Sequence, residues 1–148
     1  MSTTAQQSDE EPDTVFYEKG GNRTALLNRP KKLNSLNLSM IQKLLPRLST
    51  WEKSDMAKTI LLKGAGEKAF CAGGDVAGIY PLSGKYLTWM IALVTFDLPD
   101  PDELLAARKN YFRHEYTLDY YISTYPKPII AIMDGITSIH PCPFKETS

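Results

Sequence analysis

The residues of this sequence that are best suited to chemistry lie in one glycine-rich stretch, residues 63–75, which reads KGAGEKAFCAGGD. An apolar run at residues 59–62 predicts a buried strand before it, and residues 76–79 can open a helix after it. Gly73 and Gly74 permit a sharp turn whose bare N–H groups can approach a ligand. If Asp75 caps the helix, those groups lie at the positive end of its dipole. The pattern favours a site for an anion or a developing oxyanion, although an ordinary strand-to-helix loop can have the same composition.

The composition limits the class of protein. The chain has 148 residues, 43% of them apolar, which is the length and apolar content of one domain with a core. Its 17 basic and 17 acidic side chains give a formal net charge of zero. We therefore expect neither a nucleic acid nor an anionic membrane surface as a partner.

The cysteines offer neither a disulfide framework nor metal-ligand spacing, since there are only Cys71 and Cys142. Cys71 is expected to be a small buried residue and not a nucleophile, because no base is evident beside it. His140 and Cys142 are two candidate metal ligands without further partners, so no metal site is predicted.

The N-terminal residues 1–13 are polar and acidic and have no apolar segment of the kind found in signal peptides. They also lack the arginines of a transit peptide. We expect a disordered tail.

The first half of the chain predicts a hairpin and a helix. Residues 15–19 and 23–28 read as two strands joined by a Gly-Gly-Asn turn. Ser39 is the expected N-cap of a helix that runs to about Lys53 with one apolar stripe. Pro46 lies inside that helix and is expected to kink or break it.

The second half predicts a long helix and a strand. Asp100 as N-cap, Pro101 at the first helical position and Glu103 form a strong helix start, and the helix can run to about Tyr125. Two prolines then lead into an extended segment at residues 129–133.

Residues 80–100 are harder to place, because residues 86–98 are almost wholly apolar without a helical stripe. The run is shorter than the ~20 residues of a transmembrane helix. Three interpretations remain open: an extra strand, a hydrophobic lid over a substrate, or sequence translated from a retained intron, which we favour.

Three segments resemble the crotonase (enoyl-CoA hydratase/isomerase) superfamily in the order that the family has them. Residues 68–75 (KAFCAGGD) are similar to its first signature, residues 26–36 (LLNRPKKLNSL) to its "LNRP…LNAL" segment, and residues 127–137 (KPIIAIMDGIT) to the strand before its second oxyanion loop. Within the superfamily, residues 111–118 (YFRHEYTL) resemble the "FFREEYML" helix of the 3-hydroxyisobutyryl-CoA hydrolases. The "GIT" at residues 135–137 points the same way, since hydratases tend to have "GYA" there.

The resemblance implies an α/β fold, the incomplete N-terminal portion of a crotonase-like ββα spiral. It covers residues 14–79 and 110–137. We therefore divide the chain into the tail 1–13, a partial crotonase-like domain 14–137 with the atypical segment 80–100, and a C-terminal tail 138–148 outside the family pattern.

The resemblance also implies an acyl-CoA thioester hydrolase of valine catabolism, in which two backbone N–H groups stabilise charge on the thioester oxygen. By motif position the first donor is Gly74, while Ala72, Gly73 and Asp75 contact the substrate and Glu115 lies near the acyl group. Alternatively, Glu115 is a surface helix residue paired with Arg113 or Lys109. His114 is expected to be a solvated helix residue and not a base.

The substrate supplies its own CoA, so no separate cofactor is implied. The basic residues Arg29, Lys31 and Lys32 lie where the family approaches the CoA phosphates, and a solvated basic loop is an equal alternative.

The second oxyanion loop departs from the family pattern. The family continues as "MGGGVG", whereas residues 138–144 read SIHPCPF and place His140 at the second donor position. The family's later glutamate and aspartate lie beyond residue 148. Loss of one oxyanion donor lowers the rate by ~10²–10³, so we expect the isolated chain to lack useful hydrolase activity.

Two other functions remain open: an enoyl-CoA hydratase/isomerase-like enzyme, or a non-catalytic fragment that binds CoA or associates with full-length subunits. The family implies homo-oligomers and a mitochondrial location. Because no transit peptide is visible, a cytoplasmic location is the alternative.

Overall fold

A computed structural model describes residues 11–75 and 101–138 of the chain. The segment 76–100, the tail 139–148 and residues 1–10 lie outside the described residues, and so do the predictions made for them, including the Asp100 cap, His140 and Cys142. The described elements are β1 Thr14–Lys19, β2 Asn22–Leu27, a 3₁₀ turn Pro30–Lys32, α1 Leu38–Lys53, β3 Thr59–Gly64, β4 Ala69–Cys71, α2 Pro101–Ser123, β5 Ile129–Ile132 and β6 Ile136–Thr137.

The strands form two sheets. The larger has the order β1-β2-β3-β5. Its first pair is the antiparallel hairpin that the sequence predicts, and β3 and β5 then add in parallel, with Leu61 opposite Ile130. The smaller sheet pairs β4 with β6 in parallel. The sequence analysis treated both of these short strands as loop, because each gains its ladder from a partner more than sixty residues away.

Helix α1 begins two residues earlier than the sequence analysis predicted. Asn37, and not Ser39, is the N-cap, since its side-chain oxygen accepts the N–H of Met40 at 2.8 Å. The helix continues unbroken through Pro46, so the predicted break is wrong. The predicted apolar stripe is confirmed, and its buried side chains are Met40, Ile41, Leu44, Leu48 and Trp51.

Helix α2 packs on α1, and the residues after it fasten the two together. The Tyr125 hydroxyl donates to the Leu48 carbonyl at 2.8 Å, and Tyr121 bonds the Glu52 carboxylate. Lys127 Nζ donates to the Trp51 and Ser54 carbonyls, each at 2.7 Å. An ammonium at this position satisfies carbonyl groups that every helix leaves open at its C-terminus.

Asn34 is fully buried in the loop between β2 and α1. Its side-chain oxygen accepts the Arg29 N–H at 2.9 Å, and its amide nitrogen donates to the carbonyls of Ala65 and Ala69, both at 2.8 Å. Asn34 and its neighbour Leu33 both have a left-handed backbone, with φ values of 54° and 51°. Asparagine tolerates this conformation better than most residues do, so the residue type at position 34 suits its backbone conformation.

The N-terminal boundary differs from the sequence prediction at Asp13. The backbone oxygen of Asp13 accepts the Asn28 N–H at 2.8 Å, and its carboxylate pairs with Lys43 Nζ at 2.6 Å. Burial acts against ionisation of Asp13, but hydrogen bonds from Lys43 and Ser39 outweigh it and lower the pKa of this carboxyl. Asp13, assigned to the tail from sequence, therefore belongs to the fold.

The C-terminal strands expose an apolar surface. Ile130, Ile132, Met133 and Ile136 are between 44% and 61% exposed on and around β5 and β6. This agrees with a spiral whose next turn would cover its last strand. No helix among the described residues has the length and apolar content needed to cross a membrane.

Replacement of Asn34 by alanine should lower the free energy of unfolding by about 2–4 kcal/mol, because it leaves buried carbonyls without donors. Urea denaturation of Asn34→Ala measures this loss. Asn110→Ala, an exposed position on α2, is the matched control and should change stability by less than about 0.5 kcal/mol. Equal effects of the two substitutions would contradict the role given to Asn34.

Alkaline pH should destabilise the α1–α2 contact through Tyr125. Burial, with the nearby Tyr121 and Glu52, raises the pKa of Tyr125 to about 12. Because the pKa is ~10 in an unfolded chain, the stabilisation is complete below pH ~10 and is lost as pH rises towards 12. Tyr125→Phe should flatten the fall in unfolding free energy over this range, whereas Tyr120→Phe, at a 71% exposed position, should leave its slope unchanged.

Candidate functional site

The glycine loop that follows β4 lies against the loop before α1. Leu36 and Gly74 form an isolated parallel bridge. The Leu36 N–H donates to the Gly73 carbonyl at 2.9 Å, and the Asp75 N–H donates to the Leu36 carbonyl at 2.7 Å. Gly73 has a φ of 89°, so the turn requires a glycine there.

The backbone N–H of Gly74 differs in its hydrogen bonding from those of Ala72 and Gly73. The Ala72 N–H donates to the Leu33 carbonyl at 3.0 Å, and the Gly73 N–H lies 3.4 Å from Cys71 Sγ. Within residues 11–75 and 101–138, no acceptor is found for the Gly74 N–H. The loop therefore leaves one donor available at the residue that sequence analysis named as the first oxyanion donor.

Two side chains of α2 lie directly beside Gly74. A Cβ atom at this residue would be 2.5 Å from Glu115 Oε1 and 2.6 Å from the Tyr111 hydroxyl oxygen. Atoms at such distances must move apart, so the glycine here is needed for space and not for its backbone angle. Gly74 and Glu115, predicted separately from two motifs, are brought together by the fold.

Glu115 is only 5% exposed. The alternative of a surface residue paired with Arg113 or Lys109 is therefore wrong. His114, next to it in sequence, has Nδ1 2.8 Å from the Asn110 carbonyl of its own helix. Glu115 is thus the acidic group that α2 brings to the glycine loop.

Tyr111 is the site residue that the sequence analysis missed. It is 3% exposed, and its hydroxyl donates to the Leu36 carbonyl at 2.7 Å and lies 3.4 Å from Glu115 Oε1. Burial, followed by the charge of Glu115, raises the pKa of this hydroxyl. The signal was present in the sequence, since residues four apart on a helix share a face.

The three basic residues before α1, which are Arg29, Lys31 and Lys32, have different surroundings. Arg29 pairs with Asp75 at 2.8 Å and also donates to the Ser35 carbonyl at 2.8 Å. Its guanidinium thus holds the end of the glycine loop. The side chains of Lys31 and Lys32 are exposed. The structure therefore gives Arg29 and Asp75 a structural ion pair with each other, and the phosphate and substrate contacts expected of them stay predictions.

Cys71 lies behind the loop at 6% exposure. Burial raises the pKa of its thiol, which keeps it protonated and poorly nucleophilic at neutral pH. Among the described residues, no group of three or more His, Cys, Asp or Glu side chains could hold a metal ion.

A cavity of about 340 Å³ adjoins the other side of the glycine loop. Its wall is mostly apolar and includes Leu44, Phe70 and Leu118, with Asp119 as a charged member. It reaches Gly73, one residue from the available N–H. An apolar space of this size beside a polar donor is typical of small-molecule sites.

The family follows from comparison with known proteins. The sequence pattern of the enoyl-CoA hydratase/isomerase family matches residues 22–138. The chain belongs to this family. The match includes the loop that holds Asn34, the glycine loop after β4, and helix α2, which carries Glu115.

Similar proteins carry two different names. The chain is 45% identical to the small ribosomal subunit protein mS47 of Neurospora crassa over 131 residues, which cover 88% of this chain and 23% of that protein. It is 40% identical to the mitochondrial 3-hydroxyisobutyryl-CoA hydrolase of Gallus gallus over 134 residues, 90% of this chain and 30% of that protein. The chain therefore spans less than a third of the length of either relative.

Solved structures confirm the fold. A carnitinyl-CoA dehydratase from Mycobacterium thermoresistibile is 36% identical, with a TM-score of 0.66 over 85% of this chain and 32% of that protein. An enoyl-CoA hydratase from Rhodobacter sphaeroides is 25% identical, with a TM-score of 0.65 over 84% of this chain and 32% of that one. The predicted α/β architecture, the N-terminal portion of a crotonase-like fold, is confirmed.

Gly74→Ala should destabilise the protein by about 1–3 kcal/mol, because the new methyl group overlaps the two α2 side chains. In a Tyr111→Phe background one of the two clashes is removed. The double variant should therefore lose less than the sum of the single variants, and denaturation of all four proteins measures the difference. Strict additivity would show that the α2 side chains do not approach Gly74.

Proposed function

We propose that this chain forms the first half of an acyl-CoA thioester site, in which the Gly74 N–H binds the thioester carbonyl oxygen. The observation that carries the proposal is the available N–H of Gly74 beside the buried carboxyl of Glu115. A fixed backbone donor suits charge that develops during a reaction, because it needs no reorganisation when that charge appears.

The reaction proposed for this site is hydrolysis of a short branched hydroxyacyl-CoA, as the name of the Gallus gallus relative indicates. Attack of water on the thioester carbonyl moves negative charge onto its oxygen, where the Gly74 N–H donates to it. Glu115 Oε1 lies beside Gly74, 2.5 Å from where a Cβ on that residue would be, and we place it near the acyl group. Its role is to accept a hydrogen bond from the substrate hydroxyl or from water.

Ala72, Gly73 and Asp75 remain the proposed contacts of the CoA portion. Ala72 is partly exposed at the turn, Gly73 is buried beneath it, and Asp75 is held there by Arg29. Lys31 and Lys32 supply exposed ammonium groups for the phosphates. The alternative chemistry, hydration or isomerisation of an enoyl-CoA, uses the same carbonyl contact and differs in the groups around the acyl chain.

Full activity requires more than this half of the site supplies. The family's second backbone donor falls at His140, which Pro141 follows in place of the glycines. One missing donor corresponds to a rate loss of roughly 10²–10³. We therefore propose that the chain by itself binds the thioester and turns it over slowly or not at all.

A second candidate function is association with the small subunit of the mitochondrial ribosome. The 45% identity to the Neurospora crassa protein mS47 over 88% of this chain favours it. Either function places the protein in mitochondria. Oligomerisation, proposed from the family, would use surfaces formed largely by sequence that lies beyond this chain in the longer relatives.

Ligand binding distinguishes the two functions. The purified chain should bind 3-hydroxyisobutyryl-CoA in a calorimetric titration, and Glu115→Gln should weaken this binding about tenfold, the loss expected when a charged acceptor of the substrate hydroxyl becomes a neutral amide. Glu67→Gln, at an exposed residue of the β3–β4 turn, is the matched control and should bind like the wild type.

Release of free CoA from 3-hydroxyisobutyryl-CoA, followed with a thiol reagent, tests turnover by the same preparations. A rate close to that of the full-length hydrolase would contradict the proposed inactivity. Absence of thioester binding, together with co-sedimentation of the chain with mitochondrial small ribosomal subunits, would replace the proposed function by the ribosomal one.

A further inference from the structure

Tyr111 lies where helix α2 meets the segment that holds Gly74. Its hydroxyl donates to the Leu36 carbonyl at 2.7 Å, and the Asp75 N–H donates to the same carbonyl at 2.7 Å. Leu36 in turn is bridged to Gly74. The hydroxyl therefore holds Leu36 in place. Because Leu36 pairs with Gly74, it also sets the direction of the Gly74 N–H.

The Tyr111 hydroxyl lies nearer to Leu36 than to Glu115. Its distance to the Leu36 carbonyl is 2.7 Å, whereas its distance to Glu115 Oε1 is 3.4 Å. A phenol has one proton to donate, so the shorter bond to Leu36 is the stronger one and the contact with Glu115 Oε1 is secondary.

The same hydroxyl also limits the space around Gly74. It lies 2.6 Å from the position of a Cβ on Gly74, and Glu115 Oε1 lies 2.5 Å from that position. Both groups are buried, with 3% of Tyr111 and 5% of Glu115 exposed. Removal of the hydroxyl leaves room into which the Glu115 carboxyl can turn.

We infer that Tyr111 is a positioning residue for the thioester site. It orients the Gly74 N–H through Leu36, and it keeps the Glu115 carboxyl against the loop. It acts through these two neighbours and forms no bond to the substrate. The inference rests on the proposed function, because it assigns to Tyr111 the alignment of a donor that the proposal assigns to Gly74.

The test uses the full chain and isobutyryl-CoA labelled with ¹³C at the thioester carbonyl. Hydrogen bonding to the Gly74 N–H polarises the carbonyl and moves its ¹³C resonance downfield. Tyr111→Phe removes only the hydroxyl, and this variant should bind the ligand more weakly and, at saturating ligand, lose most of the downfield shift. Tyr120→Phe, on the same helix at a 71% exposed position, should keep the full shift.

The outcomes separate the inference from the proposed function. A shift in the wild type that Tyr111→Phe leaves intact overturns the role of Tyr111 alone. Absence of the shift in the wild type contradicts the proposed function itself, and the inference falls with it. Loss of the shift in a variant that still binds the ligand to saturation supports the inference, since a purely structural role would lower stability and affinity but leave the resonance of the bound carbonyl in place.

A second measurement needs no folded variant. In wild-type protein labelled at tyrosine Cζ, the Tyr111 resonance should move when unlabelled isobutyryl-CoA is added, because its hydrogen-bond partner Leu36 adjusts to the bound carbonyl. The resonance of the exposed Tyr120 should stay in place. A Tyr111 resonance that the ligand does not change overturns the inference.

Discussion

The buried amide of Asn34 is the interaction on which the rest of this structure depends. Two of its three hydrogen bonds join the loop after β2 to the residues on both sides of the β3–β4 turn, and the third closes the loop itself at Arg29. A buried amide that lost these partners would incur a large desolvation penalty, so the loop can take only one position relative to β4. Gly64 fits this arrangement, since a Cβ there would lie 2.5 Å from the Ala69 and Phe70 carbonyl oxygens.

The site follows from that fixed position. With the loop held, Leu36 pairs with the glycine turn, and the Ala72 and Asp75 N–H groups are used in bonds to the loop. The Gly74 N–H, which lies between them, has no acceptor among residues 11–75 and 101–138. Helix α2 then brings one buried carboxyl and one buried hydroxyl to the same residue. Backbone pairing thus sets the position of the Gly74 N–H, and the side chains of α2 pack against it.

Local sequence signals predicted much of this arrangement. The hairpin, the apolar stripe of α1 and the start of α2 depend on residues close in sequence, and periodicity and turn residues reveal such elements. Strands β4 and β6 escaped prediction because their ladder joins residues far apart. The pairing of Arg29 with Asp75 and the place of Tyr111 escaped it for the same reason. Residues 74 and 115 were named as candidates from two separate motifs, and their contact, which depends on the packing of α2, could not be predicted from either.

The close approach at Gly74 restricts the order in which this protein can evolve. Positions 74, 111 and 115 share one small volume, so a side chain at 74 requires the ends of the Tyr111 and Glu115 side chains to move or to become smaller. A lineage that gave up the site could lose Glu115 first and acquire a larger residue at 74 later, whereas the reverse order passes through an overpacked intermediate. Descendants with a side chain at 74 and an intact Tyr111 and Glu115 should therefore be rare.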